Sequence, residues 1–222
     1  MELHLYEELL LLALRDDKGN VPSAGAWYKQ AIGGAILSEL MLEQRLALEP
    51  DGKSVKVQSN KSMGDALIDD CLQLVAQREK LATLQHWLSK FASQAKLLAR
   101  AAESLCAKGI LSEQKSRILW IFESCKYPEL NHEPERLLLE RLERAIFGEP
   151  GELDARTVTV LSLAHRTGLL NLNFDKKELK ARKAHIEALV EQDCMGEVAK
   201  KVIDSITAAI MVSTIIVPIV AT

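Results

Sequence analysis

At 222 residues, 48% of them hydrophobic and 27% charged, the chain can bury a sizeable core and has the balance of an ordinary globular protein. Aromatic residues make up only 5%, so Leu, Ile, Val and Ala must fill that core, which favours packed helices over a β-sandwich. A formal net charge of −3 excludes a protein that coats nucleic acid non-specifically. The charge is unevenly spread. Lys90 to Arg117 holds six bases against two acids, a local +4, and Lys176 to Lys183 holds five bases against Glu178, again +4. The rest of the chain therefore carries −11.

In chain order, Leu3 to Arg15 (LHLYEELLLLALR) is too rich in Leu to face water over much of its circumference, so it is expected to be a central helix. Glu7 and Glu8 stand near its positive end, where the helix dipole favours acids. Asp16 to Gly19 stops it, and Val21 to Ala26 reads as a loop. A second helix is expected from Trp27 to Arg45, with Ile32, Ala35, Ile36 and Leu40 at three- and four-residue steps. Gly33 and Gly34 inside it cost about 1 kcal/mol each relative to Ala; close helix packing explains them, and approach of a ligand to the backbone is the alternative. Leu46 to Glu49 and Ser54 to Gln58 flank the turn Pro50 to Lys53 as a β-hairpin. Asp65 is placed to start the next helix, and Leu81 to Phe91 holds another.

Ser89 to Phe122 organises the chain. It reads as a basic amphipathic helix, a stop at Lys108-Gly109, and a hairpin whose second arm is almost wholly apolar. Beyond it lie a charged helix over Glu135 to Phe147, a helix over Ala155 to Thr167 capped by Asp154, a charged helix from Asp175 to about Gln192, and an apolar helix from Val198 onward. Helix, stop and hairpin thus occur twice, each time with the outline of a winged helix. Ser205 to Thr222 has no charged residue, but at 18 residues with several Ser and Thr it reads as a buried terminal helix rather than a membrane anchor. Met1 leads straight into an acidic, Leu-rich segment with no basic n-region and no cleavage site, so no signal peptide is expected.

No catalytic motif is present: there is no P-loop, no dinucleotide fingerprint, no zincin pair and no nucleophile elbow. His165 is a single histidine among apolar neighbours, and His4, His86, His132 and His185 are isolated and expected to be superficial. Cys71, Cys106, Cys125 and Cys194 are scattered, with no zinc spacing and no disulfide framework, so reduced thiols are expected and neither metal nor cofactor is implied. What remains is a binding module. Lys96 and Arg100 are four apart on one helix face and suit a phosphate, Arg as a fork and Lys as a point charge. Ile118 to Phe122 puts apolar side chains on both faces of a hairpin arm, so Leu119, Trp120, Ile121 and Phe122 need a membrane or a second subunit on one side. A buried strand in an ordinary core is the plain alternative.

Five fragments in order, YEELLLLALRDDKG (Tyr6 to Gly19), GGAILSELMLEQRLALE (Gly33 to Glu49), GDALIDDCL (Gly64 to Leu72), KGIL (Lys108 to Leu111) and DARTVTVLSLAH (Asp154 to His165), resemble the Golgi phosphoprotein 3 family. These are peripheral membrane proteins that bind phosphatidylinositol 4-phosphate, and the chain looks like a minimal, prokaryotic-type member. The resemblance covers nearly all of residues 1–222 as one domain. It implies a mainly α fold, a single globular helical domain around a buried apolar helix with two or more short β-hairpins, and no enzymatic activity. It also implies a cytoplasmic protein, at the Golgi in a eukaryote, with membrane enzymes as cargo. The family's headgroup pocket uses a Trp before the second helix, which Trp27 supplies. It adds an Arg before the Gly-Gly pair and two Arg on the helix before K-G-I-L; this chain has Ile32, Ala95 and Leu98 there, with Lys96 and Arg100 beside them.

The leading expectation is therefore a non-enzymatic protein that binds phosphoinositide or other anionic lipid through Trp27, Lys96 and Arg100, with the hairpin as the apolar contact and no nucleic acid as partner. The alternatives are a winged-helix regulator of DNA or protein, and an assembly module whose hairpin forms a homo-oligomer.

Overall fold

The computed structural model describes residues 2–14, 27–118, 122–149, 151, 153–191 and 204–210; the side chains of residues 27, 116–118, 122–124 and 191 lie outside that description. The Leu-rich first segment forms α1 (Leu5–Ala13), and every one of its residues is buried. Helices α2 (Trp27–Leu42), α5 (Leu97–Ala107), α6 (Glu133–Phe147), α7 (Ala155–Arg166) and α8 (Leu170–Asn173) pack around it. The molecule is mainly α, built around that one buried apolar helix, as its composition demands.

Total burial of α1 takes Glu7 and Glu8 inside as well, together with Glu39 of α2. Each has a counter-charge, because an unpaired carboxylate at such depth would cost several kcal/mol. Lys108 bonds Glu7, which also accepts from Ser104 Oγ at 2.8 Å and from the His4 N–H at 2.7 Å. Arg141 and Arg156 hold Glu8 at 2.6 and 3.1 Å. Glu39 accepts from the Leu5 N–H at 2.6 Å and pairs with His4 Nδ1 at 2.8 Å. His4 is accordingly half-buried and stacked on Tyr6, not superficial. His86 and His132 are exposed, while His165 and His185 are partly buried.

The pair Gly33-Gly34 serves close packing. A Cβ on Gly33 would lie 2.8 Å from the backbone N of Ala92 in α4 (Leu84–Ala92), and one on Gly34 would meet Ile210 and Leu163 at 3.2 Å. The first hairpin is β1 (Leu46–Leu48) with β2 (Ser54–Val57), in register Leu46↔Val57. Asp51 closes its turn by accepting the N–H groups of Lys53 and Ser54, both at 2.8 Å. The Ser54 hydroxyl and these N–H groups hold the Asp51 carboxyl down at about 2. A third strand, β3 (Ala82–Thr83), pairs with β2; it takes the first residues of what the sequence offered as one helix. Asp65 caps α3 (Ala66–Ala76) through the Ile68 N–H at 2.9 Å and accepts the Tyr6 hydroxyl at 2.7 Å.

Two expected helices are divided. The basic stretch from Ser89 breaks between α4 and α5, and the charged helix from Asp175 breaks at Arg182 into α9 (Lys176–Ala181) and α10 (Lys183–Glu191). The second hairpin, β4 (Gln114–Ile118) with β5 (Phe122–Lys126), pairs Ile118 with Phe122. The apolar run from Ile118 to Phe122 therefore spans the hairpin's connection instead of forming one arm. Both arms carry polar and charged residues, and Leu119, Trp120 and Ile121 lie outside the described residues.

The apolar C-terminus is helical over 204–210. There Ile206, Ala209 and Ile210 are buried, and Thr207 meets Ser162 at 3.0 Å; the remainder of the expected buried helix lies outside the described residues, as does the Val21–Ala26 loop. Among the described residues no helix is long and apolar enough to cross a membrane. Cys71, Cys106 and Cys125 are free thiols. Burial pushes the Cys71 thiol up to about 12, so it is inert at neutral pH.

Candidate functional site

The basic island from Lys90 to Arg117 is less available than its charge implies. Lys108 is committed to buried Glu7, Lys115 lies 3.2 Å from Glu113, and Arg100 donates to Asp70 at 2.6 Å and to the Ala66 carbonyl at 3.2 Å. Arg100 thus ties α5 to the start of α3, and its charge is already offset. Lys90, on the last turn of α4, and Lys96, at the start of α5, are exposed and form no ion pair among the described residues.

The junction between these two lysines has a specific local cause. Ser93 Oγ and Gln94 Nε2 both donate to the Lys90 carbonyl, at 3.0 and 3.2 Å, and so close the end of α4. Lys96 then adopts the left-handed conformation (φ 53°, ψ 29°) and turns the chain into α5. That conformation costs a non-glycine residue about 1–2 kcal/mol. No side chain caps α5, so the N–H groups of its first turn and the positive end of its dipole stand beside the Lys96 ammonium. Such an arrangement attracts anions. Lys96 and Arg100 remain one turn apart, joined by the Arg100 N–H to Lys96 C=O bond at 2.9 Å.

The other expected residues are distributed around this point. Ala95 is exposed, Leu98 is half-buried, and Ile32 is buried in the core. Trp27 opens α2, and its side chain lies outside the described residues. Helix α2 itself meets the end of α4 where Gly33 touches Ala92, four residues before Lys96. The hairpin leaves from the far end of α5, about 17 Å from Lys96 for a helix of 11 residues. The structure therefore sets Lys96 at the uncapped α5 end, with Arg100 one turn on and tethered to α3, and puts the hairpin at the opposite end of the helix. On a continuous helix Lys90, six positions before Lys96, lies about 240° round from it; in the structure the two lysines stand on either side of the break between α4 and α5.

A cleft of about 540 Å³ lies between the start of α1 and α6. Arg141, Arg144 and Arg156 line it, but so do Glu2, Glu8 and Glu133, so it presents balanced charge rather than an electropositive field. No cluster of His, Cys, Asp and Glu suited to a metal occurs among the described residues.

Residues 5–206 match the sequence model of a family described as Golgi phosphoprotein 3 (GPP34). Among curated proteins, Vacuolar protein sorting-associated protein 74 from Eremothecium gossypii is 22% identical over 214 residues, covering 79% of this chain. The matched region spans 64% of that relative's length.

Proposed function

The chain belongs to the Golgi phosphoprotein 3 family, and on that premise we propose that it is a non-enzymatic peripheral membrane protein that binds anionic lipid headgroups, phosphatidylinositol 4-phosphate among them. The observation that carries the reading is the start of α5, where the exposed Lys96 and an uncapped helix end coincide. The Leu97 N–H is already bonded to the Gln94 carbonyl at 3.3 Å; a phosphorylated headgroup supplies acceptors for the N–H groups of the first turn that follow it, and each nearby base adds about 1 kcal/mol at an anionic surface. Arg100 holds the site against α3. The apolar tip of the hairpin enters the same surface; a bilayer is wide enough to meet both ends of α5. Membrane enzymes held near the Golgi are the cargo that the family relationship points to, with the whole chain as one binding unit.

Co-sedimentation with vesicles tests this. The protein should pellet with phosphatidylcholine vesicles that contain phosphatidylinositol 4-phosphate, and not with phosphatidylcholine alone. Lys96→Glu should weaken binding about tenfold or more, since reversal both removes an attraction and adds a repulsion, while Arg100→Gln should cost much less. Equal binding by wild type and Lys96→Glu would overturn the assignment of the site.

A further inference from the structure

A second electropositive recess lies between the end of α3 and α4. It has a volume of about 230 Å³ and is lined by Leu74, Gln77, Arg78, His86, Trp87 and Lys90, with no carboxylate in its lining. His86 and Lys90 are one turn apart on α4, and the Arg78 guanidinium sits 5.9 Å over the Trp87 ring. The His86 ring meets the same indole edge-on at 5.1 Å. All three basic side chains are exposed, and none forms an ion pair with a carboxylate among the described residues. Between them Trp87 is only 3% exposed, and its Nε1–H has no acceptor among the described residues. A buried donor left unmade is costly, so each such group asks for an explanation.

We propose that Arg78, His86 and Lys90, together with the buried Trp87 indole, form a binding site for a phosphate group in the cleft between α3 and α4. Three bases converge on a volume that admits a phosphate and a small substituent. An oxygen drawn in by them is the acceptor that the indole N–H lacks. The carboxyl end of α3 opposes this with about half a negative charge, which the charges of Arg78 and Lys90 outweigh; burial and those two charges hold the His86 imidazole below its ordinary 6.5, so at neutral pH it contributes a hydrogen-bonding group rather than a charge. The site is distinct from the α5 face. Leu88 and Ala92 of α4 face Gly33 of α2, and His86 and Lys90, two residues away from Leu88, lie about 200° round the helix. It adds to the lipid reading without depending on it, because a phosphate monoester can come from a headgroup or from a soluble ligand.

The Trp87 indole resonance in a 1H–15N spectrum, assigned by its loss in Trp87→Phe, gives the readout. Titration with inorganic phosphate should move it saturably beyond the change produced by sodium chloride at matched ionic strength. Arg78→Gln and Lys90→Gln should each weaken that binding about tenfold, as expected for loss of a charge-assisted bond. Lys96→Glu should leave it unchanged, which separates this site from the headgroup site at α5. No movement beyond the salt control, or movement retained in the Arg78→Gln/Lys90→Gln double variant, overturns the proposal. With vesicles containing phosphatidic acid, a gain in co-sedimentation that the double variant loses assigns the phosphate to a lipid. Saturable phosphate binding with no such gain assigns it to a soluble ligand.

Discussion

Gly33 and Gly34 look alike in the sequence, but the structure makes them different experiments. The Cβ of Gly33→Ala would strike backbone atoms of α4 at 2.8 Å, and a backbone in a helix cannot give way cheaply. Destabilisation of about 1–3 kcal/mol is expected, the usual range for overpacking. The Cβ of Gly34→Ala meets only the tips of Ile210 and Leu163, at 3.2 Å. Those side chains can shift, and the gain of about 1 kcal/mol in helix propensity offsets the cost. Urea unfolding of the two variants should separate them clearly; equal midpoints would remove the argument for tight α2–α4 contact. His4 offers a second residue-scale test. Its hydrogen bond to Glu39 holds the imidazole above its ordinary 6.5 against the opposing effect of burial, and the charges of Glu39, Asp65 and Glu7 add to this. A raised folded value means that the protonated ring stabilises the fold below about 6.5 and that this contribution is lost as pH rises through the folded value. The stability gap between wild type and His4→Gln should therefore be widest near pH 6 and close towards pH 9. A gap that stays constant over that range would mean that no imidazolium forms at this position.

At the level of the element, α1 shows what a sequence states openly and what it withholds. Its burial follows from Leu density alone, and the caps at Asp65, Asp154 and Asp175 follow from residue type and spacing. The partners of its acids do not, because Lys108, Arg141 and Arg156 lie far along the chain and only the tertiary fold brings them to Glu7 and Glu8. The break before α5 was hidden for another reason. Residues Ala92 to Lys96 contain no Gly or Pro, and the stop depends on Ser93 and Gln94 turning back to the Lys90 carbonyl, a competition that propensity alone does not resolve. In the second hairpin an apolar pentapeptide reads equally well as an arm or as a connection, and the Ile118↔Phe122 register decides for the connection. The α1 network makes a direct prediction. Lys108→Met leaves the Glu7 carboxylate, 0% exposed, without its cation, and a loss of about 3–5 kcal/mol is expected. Adding Glu7→Gln to that variant should restore much of it, since the uncompensated charge is then gone. If the double variant is as unstable as Lys108→Met, the role of Lys108 is packing of its methylenes and not charge.

For the whole molecule the charge distribution sets how it meets a surface. Two local patches of +4 sit on a remainder of −11, and half of the six bases in the first patch are already held by Asp70, Glu7 and Glu113. An anionic bilayer thus attracts a small exposed region and repels the rest. The reach of both effects is the Debye length, about 30 Å at 0.01 M salt and about 10 Å at 0.1 M. At the lower salt the acidic remainder feels the surface along with Lys90 and Lys96; at the higher salt only groups close to the bilayer do. Attraction through the lysines is lost only when screening falls below the contact distance, at about 3 Å near 1 M. Co-sedimentation with anionic vesicles should therefore rise from 0.01 M to a maximum near 0.1 M and fall again towards 1 M, instead of declining throughout. Lys96→Glu should flatten that maximum. A monotonic fall from the lowest salt would place the acidic remainder beyond the reach of the surface, and would require a docked orientation in which the bound face alone lies within about 30 Å of the lipid.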